Sequence, residues 1–349
     1  MGAAAPSVTL KIDGIDGDPA AKGNFISYVV ERDMFQPDMA QVVLSNQNDI
    51  SIPNLKVTGK IEILAGSQQT SIFKGEIVGV EGAWKGGEPT RVLIRAMNKM
   101  YKLKSLRKSL TFVDKTDKQI LSQVVKDAGL TLEWKHEKSI TYKHVYQHNL
   151  SALEFVRMRA ARMGCHVWCV GDTIYVQEPD FNSSSGIKLS ADTSGNLRSF
   201  MPRISSANVF KKVTVKGWNP ETKELITGTA EVQTSPLGSE NAVAASGDHG
   251  KEETFQVDMP IWSKEEADAI AKARIRDANL SFLTGEAECA GNPAIDLGKV
   301  IEIEANASGD DPFNGKYYVM GVTHKHTMPK GKEGGFATVV KFARDGQKK

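Results

Sequence analysis

Alternation of apolar and polar residues dominates the first hundred positions. Val8-Thr-Leu-Lys-Ile12 alternates and stops at Asp13-Gly14, and further runs follow at Phe25 to Val30, Ala40 to Leu44, Val57 to Leu64, Ile72 to Val80 and Arg91 to Ala96. Asp16-Gly17, Gly66-Ser67 and Gly86-Gly87 punctuate them. A period of two broken by turn residues predicts an antiparallel barrel or sandwich. The period then changes. Thr116 and Gln119 form a capping box before the helical apolar face of Ile120, Leu121, Val124, Val125 and Ala128, with Gly129 as the stop. Ser151 and Glu154 repeat the device for a helix ending at Gly164. Val167 to Val170 and Thr173 to Val176 flank Gly171-Asp172, the pattern of a two-residue hairpin. Ser183 to Ser185 and Ser194 to Asn196 read as loop, Val213-Thr-Val215 as strand and Asn219-Pro220 as turn. Thr234 to Lys251, rich in Ser, Gly, Ala and Asn, reads as a linker or long loop. A third box at Ser263 and Glu266 opens a helix to about Ala278, and strands return from Gly285, with a polar tail at Gln347-Lys-Lys349.

Three strands recur in order. Gly59-Lys-Ile-Glu-Ile63 returns as Gly298-Lys-Val-Ile-Glu-Ile303, Phe73 to Val80 returns as Phe313 to Val322, and Thr90 to Ala96 returns as Thr338 to Ala343. One such match is generic for strands, but three in sequence predict two similar β-modules in one chain. A trimer of such a chain would place six like units around an axis.

Composition narrows the function. A chain of 349 residues is long enough for two domains, and a formal net charge of +2 gives no electrostatic footprint for nucleic acid or an acidic membrane. Cys165, Cys169 and Cys289 are too few for a disulfide framework and read as buried thiols. Met1 to Pro6 lacks the basic and apolar parts of a leader, and no apolar run is long enough to span a bilayer, so synthesis in the cytoplasm is expected.

No catalytic constellation assembles: there is no G-x-S-x-G, no phosphate-cradling glycine loop and no H-E-x-x-H, since Ile140 stands where the second His after His136-Glu137 belongs. His324 and His326 alternate on a strand, which suits either a metal pair or a polar solvated face. Asp13, Asp16 and Asp18 fit a hairpin loop better than a calcium loop. Lys99, Lys102, Lys104, Arg107 and Lys108 form a basic cluster, either an inter-subunit or lumen-facing patch or a solvated loop. Tyr142, His144, Tyr146 and His148 alternate along a strand, which suits either a face that docks a neighbouring subunit or a half-exposed strand face. No cofactor is expected.

The order of several motifs resembles the bacteriophage late control D proteins and the N-terminal hub part of VgrG spikes. These are Val92-Leu-Ile-Arg95 through Leu103, Ser109-Leu-Thr-Phe-Val-Asp114 and Thr116-Asp117; then Val145-Tyr-Gln-His-Asn149, Leu153-Glu-Phe155, Arg159-Ala-Ala-Arg162, Gly164 and Trp168; then Val213-Thr-Val-Lys-Gly-Trp218, the helix Ala267 to Ala278, and Phe313 to His324. The resemblance runs from about Val8 to Arg344. It implies a mainly β (α+β) fold of two tandem antiparallel β-barrel-like modules with inserted helices, forming a pseudo-six-fold ring in a homotrimer. The expected division is 1–98 plus 205–233 for the first module, 99–204 plus 280–346 for the second, and 234–279 as linker and helix.

The implied role is a non-enzymatic baseplate hub of a contractile phage tail or tail-like injection particle. It would join a hexameric tail-tube protein above to a trimeric spike protein below and touch neighbouring baseplate proteins. Specific nucleic-acid recognition and membrane insertion are not expected. VgrG chains continue into a second barrel and a needle where this sequence stops near Arg344, so the spike is expected to be a separate protein. The alternative is a tail-associated module binding a cell-surface glycan, and a tail-associated peptidoglycan hydrolase is a third possibility.

Overall fold

The computed structural model describes residues 8–46, 54–105, 107–137, 139–192, 195–247, 250–257, 260–306, 311–330 and 333–347. The start at Met1 to Pro6 and the tail positions Lys348 and Lys349 lie outside them. The alternating runs form β1 (Val8–Ile12), β2 (Phe25–Asp33), β3 (Met39–Ser45), β4 (Lys60–Ala65), β5 (Thr70–Ala83) and β6 (Arg91–Met97). Because successive side chains of a strand point to opposite faces, Ala40, Val42 and Leu44 of β3 and Ile61, Ile63 and Ala65 of β4 all turn inward. They build one core with Leu10, Tyr28, Phe73 and Ile94.

A 3-10 turn (Lys99–Lys104) leads to β7 (Arg107–Thr116), α1 (Asp117–Asp127), β8 (Thr131–Lys135), β9 (Thr141–Ser151), α2 (Ala152–Arg162), β10 (His166–Val170) and β11 (Thr173–Gln177). Both expected capping boxes are reciprocal: Thr116 with Gln119, and Ser151 with Glu154. Each helix is left through a glycine at positive φ, Gly129 at 74° and Gly164 at 71°, where a Cβ would be strained. The strands pair as β7–β9 and as β10–β11–β8. With α1 and α2 they enclose a core of their own, in which Phe112 and Phe155 stack at 5.9 Å.

The remainder comprises β12 (Ser184–Ser190), β13 (Leu197–Ile204), β14 (Phe210–Asn219), β15 (Glu224–Glu231), β16 (Glu240–Asn241), α3 (Ala242–Ala245), β17 (Lys251–Gln256), α4 (Lys264–Leu280), β18 (Leu283–Ala290), β19 (Val300–Glu304), β20 (Gly315–Lys330), β21 (Glu333–Arg344) and β22 (Gly346–Gln347). The fold is mainly β, with helices inserted. Its largest sheet has the order β1-β4-β5-β6-β3-β2-β20-β21-β18-β13, with β19 and β12 branching from β20. Among the described residues no pairing closes this path into a barrel.

The sequence repeat is visible in the pairing. The strands β4, β5 and β6 are antiparallel neighbours, and so are β19, β20 and β21, the same three matched segments in the same order. Each meander also carries a bulge at the same place. The register of β5 on β6 shifts between Ile77 and Gly79, and that of β20 on β21 shifts between Val319 and Gly321. Beyond the bulge Gly79 faces Arg95, and Gly321 faces Lys341. A bulge bends and twists its strand. In β20 the bend separates Gly315–Ile303 pairing on one side from pairing with β2 on the other. The hairpin β20–β21 thereby belongs to two β-units at once.

The strands from Phe210 to Glu231, which sequence reasoning grouped with the first module, do not pair with it. They join each other and β17 in a separate three-stranded sheet. The helix α4 covers one face of this sheet and shares a core with it through Val213, Val215, Ile270 and Ile275. A methyl group at Gly228 would run into the α4 backbone at Ala267, so glycine is what lets helix and sheet approach this closely. The expected linker at Thr234 to Lys251 holds β16 and α3, and β16 pairs with β22. The Ser263 hydroxyl caps α4 at 3.2 Å from the Glu266 amide. The Glu266 carboxylate, however, does not complete the box: it accepts from the Trp262 amide at 2.8 Å and from Arg162.

Candidate assembly surfaces

The basic cluster is largely neutralised within the chain. Lys99 meets Asp172 at 2.8 Å, Lys102 meets Glu76 at 2.8 Å, Arg107 meets Glu154 at 2.9 Å and Lys108 meets Asp127 at 3.6 Å. Tyr101 donates to the same Glu76 carboxylate at 2.9 Å, and these neighbours hold its pKa below the usual carboxylate value despite desolvation by burial. Arg107 also donates to the Asn149 carbonyl at 2.7 Å. Lys104 alone of the five has no ion pair among the described residues. A patch paired in this way fixes the turn and β7 in place and presents little net field to a passing polyanion.

The four alternating residues of β9 do not share a face. Tyr142 is buried, with the Arg159 guanidinium 4.4 Å above its ring, whereas His144, Tyr146 and His148 are exposed. The facing strand explains the break. Asp114 of β7 sits at φ 50°, in the left-handed region, directly where the ladder passes from Lys115–Tyr142 to Val113–His144. The kink turns one part of the ribbon inward and the other outward. Tyr142 therefore supports α2 and cannot serve as a docking residue. The outward part carries Val113, Tyr146 and the two imidazoles, with the Tyr146 and His148 rings 5.5 Å apart.

Three further surfaces escaped sequence reasoning. The sheet β15–β14–β17 keeps one face bare: Trp218 and Leu225, directly paired and 53% and 57% exposed, stand beside rows formed by Lys216, Thr227 and Gln256 and by Thr214, Thr229 and Thr254. The alternation Lys212, Thr214, Lys216, Trp218 announced this face. The edge strand β13 exposes Met201 and Ile204. Trp84, 75% exposed, folds over Gly82 at the tip of the β5–β6 hairpin.

No group of three or more His, Cys, Asp or Glu positioned for a metal exists among the described residues. The Asp13 carboxylate accepts from the Lys60 amide, and Asp18 accepts from the Leu10 and Ala20 amides, so both serve local backbone. His324 and His326 do face one side, but that side is the interior rather than a solvated face. All three cysteines are free and buried, and burial pushes the Cys165 and Cys169 thiols up to about 12 and Cys289 up to about 11. Three clefts, of about 670, 640 and 570 Å³, are open and lined by mixed side chains. Among the described residues no helix is long and apolar enough to cross a membrane.

The family described as the Alg8 N-terminal domain matches residues 36–327. The chain belongs to that family. Among solved structures, this Alg8 N-terminal domain protein is similar to a tail protein from Neisseria meningitidis, at 13% identity and a TM-score of 0.72 over 98% of this chain and 97% of that one. It is also similar to the 43 kDa tail protein of prophage MuSo2 from Shewanella oneidensis, at 12% identity and a TM-score of 0.71 over 98% and 99%. An Escherichia coli component of the type VI secretion system shares 10% identity at a TM-score of 0.64, over 96% of this chain and 76% of that one. At these identities the likeness establishes a common fold. No match is found among curated proteins.

Proposed function

We propose that this Alg8 N-terminal domain protein is the trimeric baseplate hub of a contractile tail or tail-like injection particle. The observation that carries the proposal is the pair of matched, bulged meanders joined by one shared hairpin. Two like units per chain give six in a trimer, so one face can meet a hexameric tube and the other a trimeric spike. The shared fold with phage tail proteins and a type VI secretion component supports a structural role in tail or injection machinery. In this reading the two β-units form the ring, and α1 and α2 brace it from outside. Among the described residues the sheet path ends at β1 and β13, whose edges are liabilities in a monomer and are removed by pairing with neighbours. The outward part of the β7–β9 ribbon and Lys104 are additional subunit contacts. The role is mechanical rather than catalytic, within an assembled particle.

Light scattering on the purified chain tests the proposal. A mass near three times 38.0 kDa supports it; a monodisperse monomer that stays monomeric with tube and spike proteins present overturns it. The Trp218 face favours a second reading, a tail-associated glycan-binding module, because an exposed indole beside hydroxyl and amide rows suits sugar stacking and hydrogen bonding. Glycan-array binding lost on Trp218→Ala would move that reading first.

A further inference from the structure

The inner face where β2, β20 and β21 meet is a small lattice of cross-strand rows. Tyr28, His326 and Phe336 form one row, Val30, His324 and Thr338 the next, and Arg32, Val322 and Val340 the third. Tyr28, His324 and His326 are almost wholly buried, at 1%, 0% and 3% exposure. The His326 ring lies 5.6 Å from Tyr28, 5.4 Å from Phe25 and 5.9 Å from Phe336. His324 Nδ1 lies 3.0 Å from the Thr338 hydroxyl oxygen. Among the described residues Nε2 of both imidazoles and the Tyr28 hydroxyl find no hydrogen-bond partner.

The charged groups around this face are few. On β2, Arg32 points to the same side and is held by Asp38 at 3.2 Å and by Asp296 at 2.7 Å. Glu31 of β2 and Lys325 of β20 point outward. Lys341 of β21 is half-exposed and pairs with Asp33 at 3.2 Å. The apolar side chains of β3, β4 and β6 in the same core, such as Val42, Ile63 and Ile94, offer no acceptor.

We propose that this seam is an acid-sensitive joint between the two β-units, closed while His324 and His326 are neutral and opened by their protonation. A second proton on an imidazole creates a cation that needs an acceptor, and among the described residues neither Nε2 atom has one. The Arg32 guanidinium adds repulsion. Separating β2 from β20 delivers both rings to water. The portion of β20 before its bulge stays paired with β19, and β21 stays paired with β18, so the second unit keeps its sheet.

The sign follows from the titrations. Burial, aided by Arg32, holds His324 down to about 3, and burial lowers His326. In an opened seam both titrate near the ordinary value of about 6.5. The open form therefore binds more protons, and closure weakens as pH falls below about 6.5. Asp38 acts in opposition. Burial holds its carboxyl up to about 6, so the closed form takes that proton more readily. Two imidazoles outweigh one carboxyl, and a protonated Asp38 also loosens its hold on Arg32.

Hydrogen exchange of the full chain, read by mass spectrometry and corrected for intrinsic rates, tests the joint near neutrality and at about pH 5. Peptides over Phe25–Asp33 and residues 321–327 should lose about tenfold or more of their protection relative to peptides over Leu283–Ala290 and Val300–Glu304. The double variant His324→Val, His326→Phe should keep the seam closed at the lower pH. Equal loss in both units, or an unchanged acid response in the variant, overturns the proposal. If the double variant does not fold, the wild-type contrast between the two sets of peptides decides, with His326→Phe alone as the second variant.

Discussion

The Arg162 guanidinium holds the Glu266 carboxylate across 104 positions of sequence, Nη2 to Oε1 at 2.6 Å, with 6% and 2% of the two side chains exposed. The same arginine donates to the Pro260 carbonyl, and the same glutamate accepts from the Trp262 amide at 2.8 Å. One pair thus ties α2 to the start of α4. Glu266→Ala leaves a cation buried without its partner and should cost about 3–5 kcal/mol, while an Arg162→Met, Glu266→Leu double variant should cost less than Glu266→Ala alone. Urea unfolding of the three proteins measures the difference.

Gly228→Val should destabilise the chain by about 1–3 kcal/mol, since the new side chain must displace α4. The loss should appear as faster exchange in Lys264–Leu280, with the β1–β6 unit unaffected. A thermal melt with exchange mapping checks both.

The thiols offer a test of packing. Cys165, Cys169 and Cys289 are buried and their pKa values are pushed up, so an aromatic disulfide reagent near neutral pH should label none in the native chain. All three should react in denaturant. Rapid native labelling of Cys289 would show that the β18–β21 pairing opens readily.

Tyr146→Ser together with Val113→Ser removes the exposed apolar pair of the β7–β9 ribbon and touches no core residue. Monomer stability should change by no more than about 0.5 kcal/mol. Self-association should weaken about tenfold or more if this face lies between subunits. Sedimentation across a dilution series measures it.

Local signals carried most of the secondary structure. Alternation located β1 to β6 and capping boxes located α1 and α2, because side-chain direction and end-capping depend on residues only a few positions apart. The strands β12 and β13 were missed: Ser184, Ser185 and Gly186 carry turn chemistry, and the sheet imposes strand on them through β19 and β18. The pairing of Phe210–Asn219 with β15 and β17 rather than with the first unit depends on tertiary packing against α4. Tyr142 was misplaced because a single left-handed residue on the partner strand, Asp114, changes the phase of the ribbon. The outward face of the β7–β9 ribbon was therefore only partly legible, while the recurrence of three strands matches the two meanders.

The shared hairpin also sets the order in which the protein can be made. Lys341 and Asp33, which pair across the bulge, lie 308 positions apart. During synthesis at about 5–20 residues per second, β2 waits roughly 15–60 s for the strand that covers its edge. Throughout that interval the β1–β6 unit is left one strand short. The ribosome must pass β20 before the first unit can be completed, so a chain ended before Gly315 would lack the second copy and also leave the first unfinished.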